Sequence, residues 1–514
     1  MNLGKTKRIS LSMASGVLLL AGLLLLLHGT PQIVRADPGD FFVKPGASGS
    51  CTQSDPCELQ TALDTATAAD TIYAAGGTYT GSGGAVVAIT QSLDLVGGWD
   101  GASSGPVRCD PNAYPTTLDA EGARRVAYIG GTSGAITVTL TGLTVTNGVA
   151  SVQGAGLYAQ DAVLSLRHVT IYSNVVDGAG IDYVYGGGAY VSGGTLHITD
   201  SIVRSNHCTH ANLALHGGGL FISGTLTTTV ESTLVEGNSA WNCGGMWFGH
   251  GTLLIRQSRF RDNGFNVGFG ATSYAGGLRI QYAEARIEDT EFTHNYAGAH
   301  GAAMDVWDSS LLLARSVIAD NRAPSSGLGV AGIYISGQSP FTLTNNLIVN
   351  NQPRRADAGV IYVASTVAPG YLLHNTIAGN TGSNGGTGIF AKSDITLTNN
   401  ILVSHTVGIS VTAGYTAAAE GTLWGSGSWA NGVDWGGDGT VVTGTVNIWD
   451  NPGFVNPGAG DYQIDSGSAA VDAGVSAGVA TDIQGMPRDA APDIGAYEWK
   501  FRLFLPVALK DAGM

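Results

Sequence analysis

The chain has 514 residues, 39 acidic against 24 basic, and a formal net charge of −15. That balance excludes nucleic acid as a partner, because its binders present a basic stripe. It also disfavours acidic polysaccharides unless calcium or a local basic patch intervenes. Only 12% of the residues are charged and Gly numbers 77, a composition that suits one elongated core with many tight turns.

Residues 1–36 have the pattern of an export signal. Lys5, Lys7 and Arg8 form a basic start, 17–27 is an apolar run, and small residues place the cut after Ala36. Cleavage removes those three cations and Arg35 but no acid, taking the net charge from −15 to about −19. The apolar run is short for a spanning helix, and no later segment is long enough, so no transmembrane helix is expected after cleavage. Residues 37–100 follow. Leu59, Ala62, Leu63 and Ala66 recur at helical spacing and predict a short amphipathic helix. Just before it, Cys51 and Cys57 in CTQSDPC are close enough to close a small disulfide loop.

Within residues 101–411 one seven-residue phrase returns nine times: HVTIYSN at 168–174, DSIVRSN at 200–206, STLVEGN at 232–238, QSRFRDN at 257–263, DTEFTHN at 289–295, RSVIADN at 315–321, NNLIVNN at 345–351, HNTIAGN at 374–380 and NNILVSH at 399–405. The closing residues are 25 to 32 apart, and eight of the nine are Asn. The fourth position is always apolar, and the second is Ser, Thr or Asn in all but Val169. Such a period marks a solenoid. Between the phrases lie short alternating runs broken by Gly, with no long helical stripe, so each period is a coil of short strands and the stack is a parallel β-helix. Each rung rises about 4.8 Å, the spacing of neighbouring strands. The closing Asn residues then form a buried column at a turn, and the helix at 59–66 covers the open end.

A second phrase precedes the first in each period: Gly, apolar, variable, apolar, as in GLYA at 156–159 and GMWF at 245–248. Together the two phrases resemble the repeats of secreted right-handed β-helix proteins, pectate-lyase-like folds and the polymorphic outer-membrane proteins. FRDN at 260–263 and FTHN at 292–295 match the Phe-x-x-Asn element of the last group. The resemblance implies an all-β, right-handed parallel β-helix, exported and a monomer. It leaves activity open, since this fold carries lyases, hydrolases, epimerases, adhesins and scaffolds. FFVKPG and the stretch after it are similar to the opening of such proteins, so 37–100 is expected to hold the cap and first rungs.

After His405 the period fades. Residues 412–450, with Trp424, Trp429 and Trp435, are expected to form degenerate last rungs and loops. Residues 451–499 contain NPGF, AVDAG and DIGAYE in the order that resembles the choice-of-anchor Q module of bacterial surface β-helix proteins. Its Asp residues are candidate calcium ligands, although Asp beside Gly and Pro also marks turns. The tail, 500–514, is apolar but too short to span a bilayer as a helix.

The third residue of the second phrase points away from the core. In order it is Tyr158, Tyr190, Phe221, Trp247, Arg279, Asp305, Tyr334, Tyr362 and Phe390. An exposed aromatic ladder of this kind suits the C–H faces of pyranose rings, so the expected partner is a polysaccharide or cell-surface glycan. Rings buried under loops are the structural alternative. Catalysis, if present, is expected at the interruption: Asp305 with Glu288 as a carboxylate pair, and Arg279 to neutralise a uronate. A surface ion-pair ladder explains the same residues without chemistry. The function expected first is non-catalytic carbohydrate binding or adhesion, then a polysaccharide lyase, hydrolase or epimerase, then a surface spacer. Cys208 and Cys243 follow the closing Asn of adjacent copies and are expected to form a rung-to-rung disulfide, leaving Cys109 unpaired. His207, Cys208, His210, His216, Cys243 and His250 are the rival reading as a metal site, but their spacing matches no strong zinc pattern, and no metal is expected.

Overall fold

The computed structural model describes residues 32–34 and 39–500, apart from 132–134, 179–182, 210–213, 265–273, 324–326, 356–357 and 383. Most of the expected export signal, His210 and the tail after Lys500 lie outside the described residues. Of the signal only Gln32–Val34 is described, a strand whose backbone pairs antiparallel with Val107–Cys109.

The repeat winds into a solenoid with three faces. The first face holds strands such as Leu157–Gln160, Ala189–Ser192, Met304–Trp307 and Ile333–Gly337. The second holds Ala162–Arg167, Thr195–Thr199 and Ser310–Ala314. The third is a 14-stranded sheet in strict chain order. In Met246–Arg256 and Leu278–Glu288 the first and second faces run together as one bent strand. Pairing is parallel from rung to rung, so equivalent residues stack. The apolar fourth position forms one such stack, Ile171–Val203–Val235–Phe260–Phe292–Ile318–Ile348–Ile377–Leu402. All nine are buried. At the other end of the chain, the helix Leu59–Thr65 buries Leu59, Ala62 and Leu63 against the first rungs.

The seven-residue phrase is a corner, a short strand and a second corner. Its first residue has left-handed backbone in all nine copies, from φ 48° at Gln257 to φ 57° at Asn399. Its sixth residue does so too, and there Gly237 and Gly379 stand among Ser, Asp, His and Asn. Those residue types tolerate positive φ better than branched ones. The chain therefore turns twice around three extended residues, and the closing Asn is carried into the core.

There the Asn residues form an unbroken ladder. Each side-chain amide donates to the carbonyl oxygen of the next: Asn174 to Asn206 at 2.9 Å, Asn206 to Asn238 at 3.0 Å, Asn263 to Asn295 at 3.1 Å and Asn351 to Asn380 at 2.9 Å. The same oxygen accepts the backbone N–H of the previous Asn, as at Asn263 from Asn238. A ladder on this scale satisfies the polar groups that a buried turn would otherwise orphan. The second position builds another. Ser258, Thr290 and Ser316 hydroxyls accept backbone N–H groups of the rung before, and Asn346, Asn375 and Asn400 continue the column as amides.

The C-terminal segment lies outside the third face and covers its last rungs. Tyr462, Ile464, Ala470 and Ile494 pack on Leu347, Val349, Ala378, Ile401 and Val403. Outward positions there are apolar except Thr376, which accepts from Ala496 N–H, whereas earlier rungs carry Arg204, Glu236, Arg259, Arg261 and Glu291 at the same two positions. Asn399 accepts from Val475 N–H and donates to its carbonyl, and Arg488 donates to Asn345.

Candidate functional site

Strand register brings the outward residues of the first face into one column. Tyr158 pairs with Tyr190, then Phe221, Trp247, Arg279, Asp305, Tyr334, Tyr362 and Phe390 follow rung by rung. Tyr128 extends it upward and was not singled out in the sequence. The rings lie nearly parallel. Centroids are 5.5 Å apart for Tyr128–Tyr158, 5.4 Å for Tyr158–Tyr190 and Tyr190–Phe221, and 4.3 Å for Phe221–Trp247. Below the break, Tyr334–Tyr362 and Tyr362–Phe390 are 5.2 and 5.1 Å apart.

This geometry corrects the expectation of an exposed ladder. Rungs in register stack rings face to face along the solenoid axis, so each face is covered by the next ring and only edges turn outward. A second layer then covers part of the column. Tyr185 packs on Tyr190 and Phe221, His216 on Phe221 and Trp247, and His300 stacks 4.2 Å from Tyr334. Trp247 is 8% exposed and Tyr362 5%. Burial also holds His216 neutral, its pKa pushed down to about 4 with Arg279 adding to the shift.

The interruption is a buried ion pair. Asp305 is 1% exposed, with Arg279 Nη1 3.6 Å and His300 Nδ1 3.3 Å from its Oδ2. Tyr274 lays its ring 4.3 Å from the Arg279 guanidinium. Asp305 Oδ1, Arg279 Nε and Arg279 Nη1 are buried without a hydrogen-bond partner among the described residues. Glu288 is not part of this group. The strand Leu278–Glu288 bends at Tyr282, where φ is 52°, and Glu288 lies on the second face. It is held there by Arg256 at 3.2 Å, Arg286 at 2.5 Å and Arg315 at 3.9 Å. The expected carboxylate pair is therefore not assembled, because the two carboxylates share no partner and sit on different faces. Glu288 belongs to an ion-pair ladder between rungs.

Aromatic exposure appears instead at the corner between the first and second faces. Tyr282 is 47% exposed. It stacks 5.1 Å from His250 and meets Trp307 edge to face at 4.8 Å. Gln281 ties this shelf to the column by accepting from Trp247 Nε1 at 3.1 Å. The indole lies over Gly249, where an added Cβ would come 2.4 Å from the ring, so a side chain there would expel it. His250 and Tyr282 both have left-handed backbone, which turns their side chains outward at the bend. The signal was a bulky residue in the corner after the Gly phrase, but corners vary in length and periodicity does not reach them.

Cys51 and Cys57 are joined, as expected. Cys208 and Cys243 are not: both are buried and free, as is Cys109. Cys208 packs with Val176, Val184 and Ala240, whereas Cys243 packs with Phe221, Trp247 and Ala275. Their rungs are adjacent, but His207 pairs with Ser239, so the residue beside Cys208 is Ala240. Following an Asn two residues on and five residues on leads to different columns. Among the described residues no three His, Cys, Asp or Glu side chains converge on a metal site. His207 bonds Ser239 and His216 faces Asn242. The carboxylates of the C-terminal module are used as caps: Asp482 accepts from Gln484, Met486 and Glu498 backbone N–H, and Glu498 from Asp489 and Asp493.

Three faces of stacked parallel strands around one apolar core define a parallel β-helix. The family described as "Right handed beta helix region" matches residues 126–311 and 272–423, more than half of the chain, and the protein belongs to it. Among solved structures the chain is similar to pectate lyase Pel9A, at 13% identity and TM-score 0.37 over 91% of this chain and 98% of that one. It is also similar to a tailspike protein of E. coli bacteriophage HK620 in complex with pentasaccharide, at 12% identity and TM-score 0.28 over 78% of each chain. A rhamnogalacturonan lyase matches at 11% identity and TM-score 0.21, over 81% of this chain and 91% of that one. No curated protein sequence matches. No helix among the described residues is long and apolar enough to cross a membrane.

Proposed function

We propose that the chain is an exported, non-catalytic carbohydrate-binding protein, and that its glycan lies along the corner between the first and second faces. The observation that carries this reading is the shelf of His250, Tyr282 and Trp307, in which His250 and Tyr282 are exposed and Trp307 is half-buried, beside a column whose rings cover one another's faces. Exposed aromatic surface of this kind marks interaction sites. Glu284 and Arg286 follow on the same strand and are exposed, within reach of sugar hydroxyls. The separation of Asp305 from Glu288 argues against a two-carboxylate hydrolase.

The test is retention on a polysaccharide array, with Tyr282→Ala and Trp307→Ala expected to weaken retention of a long glycan by about tenfold or more at unchanged melting temperature. Trp247→Ala is expected to lower the melting temperature instead. Wild-type protein that retains no glycan, or a Tyr282→Ala variant that retains it equally, overturns the proposal. Shortened oligosaccharides found by mass spectrometry would replace it with the enzymatic alternative. The closed ring stacks favour a second reading, a surface spacer in which the column serves rigidity.

A further inference from the structure

The third face carries a separate cleft near its N-terminal end, where the loop through Pro111 and Pro115 overhangs the outward residues of three successive rungs. Thr144, Thr170 and Ile202 are in register there, about 4.8 Å apart per rung. The cavity volume is about 250 Å³. Drug-sized sites run to about 300–1,000 Å³, so this one has room for a single small ring and not for a chain.

Two residues of the left-handed corner column form its rim. His168 and Asp200 open the first two copies of the seven-residue phrase, with φ 53° and 49°, and their side chains stand outside the core with His168 Nε2 3.8 Å from Asp200 Oδ2. From Asp289 onward, the same column is committed elsewhere. Asp289 and Arg315 are bonded to each other at 2.8 Å. Asn345, His374 and Asn399 are held by the C-terminal segment. At the cleft no such commitment exists. Among the described residues the Asn112 amide and the Thr144 and Thr170 hydroxyls have no hydrogen-bond partner, and Asp200 has only the long contact to His168. These groups stand around an apolar wall of Pro111 and Pro115, with Leu143 buried in the core beneath.

We infer that this cleft binds a single sugar ring that carries no negative charge. A pyranose has a C–H face that packs on proline, and a rim of hydroxyls that both donate and accept. Asp200 accepts two such donors, Asn112 does both, and the threonines complete the ring. The sign of charge sets the class. Among the described residues no Lys or Arg lines the cleft, Asp200 does, and the whole chain is acidic, so a uronate meets repulsion while a neutral or amino sugar does not. The inference takes its ligand class from the function proposed above, but uses a different face and different residues.

The experiment is saturation-transfer NMR on the full chain with galactose, N-acetylglucosamine, glucosamine and glucuronate as probes, at up to about ten times a millimolar Kd. Transfer to at least one of the first three and none to glucuronate is expected. Asp200→Ala and, on the separate loop, Asn112→Ala are each expected to weaken binding about tenfold at unchanged melting temperature. Tyr282→Ala is expected to leave it unchanged, so loss of glycan retention at the shelf and loss of binding here can be told apart. No transfer to any of the first three probes, equal transfer to glucuronate, or undiminished binding by both variants overturns the inference.

Discussion

Asn380 donates its side-chain amide to His405 Nε2 at 3.2 Å, and so passes the asparagine ladder to an imidazole. His405 Nδ1 in turn lies 3.3 Å from Asn431 Oδ1, which also accepts the His405 backbone N–H. Only the neutral tautomer with its proton on Nδ1 satisfies both neighbours. A second proton on Nε2 would face the Asn380 N–H donor. Burial pushes the His405 pKa down to about 4.

Acid should therefore destabilise the fold well above carboxylate pH. His374 is also held neutral, its pKa pushed down to about 3 by burial and by the Arg488 charge, and His216 behaves likewise. Each depressed histidine contributes stability that is complete above the unfolded value of about 6.5 and falls by about 1.4 kcal/mol per pH unit below it. The loss continues down to the folded pKa. Asp493 runs the other way: burial raises its pKa to about 6, so protonation there favours the fold as pH drops. Three histidines outweigh one carboxyl. Denaturant midpoints should fall between pH 6.5 and 4.5, and His405→Asn should reduce the slope while keeping the ladder.

Replacing Asn263 or Asn295 by Leu should cost at least about 1–3 kcal/mol by urea unfolding. Asn263 Oδ1 accepts from the backbone and the amide of Asn238, and its own amide donates to Val235 carbonyl and Asn295. Leu would leave those groups buried and unpaired. A loss below about 0.5 kcal/mol would mean that the ladder relaxes around the gap.

Peptide mapping without reductant should recover Cys51 joined to Cys57, and Cys109, Cys208 and Cys243 as thiols. The last two should resist alkylation until the protein unfolds, because burial pushes each thiol up to about 12. A peptide linking Cys208 to Cys243 would contradict the packing described above.

Arg488 and Glu498 form a buried pair at 2.9 Å inside the C-terminal module. Arg488→Met should cost about 3–5 kcal/mol, because Glu498 would be left inside with its charge opposed, among the described residues, only by Lys500 at the rim. Limited proteolysis should then cut within 451–499 while the solenoid survives. Equal resistance in both proteins would show that the apolar contacts alone hold the module.

Period, buried positions and the direction of each side chain were legible in the sequence because a parallel stack repeats one local solution. Ile171 to Leu402, the Asn column and the outward order from Tyr158 to Phe390 all follow from counting along one turn. The change from Arg259 and Arg261 to Leu347 and Val349 at the same positions became a docking surface only once the fold laid the C-terminal segment over it. What counting does not supply is how side chains in one column turn toward each other and the course of the corners. Rings in register on successive rungs lie face to face, which turned an apparent binding ladder into a stack with only edges outward. A bend at Tyr282 parted Glu288 from Asp305 within one strand. Corner length set Cys208 and Cys243 in different columns and left Tyr282, not Trp247, in solvent. Composition and period act along the chain, whereas exposure and pairing are settled by which loops fold across a face.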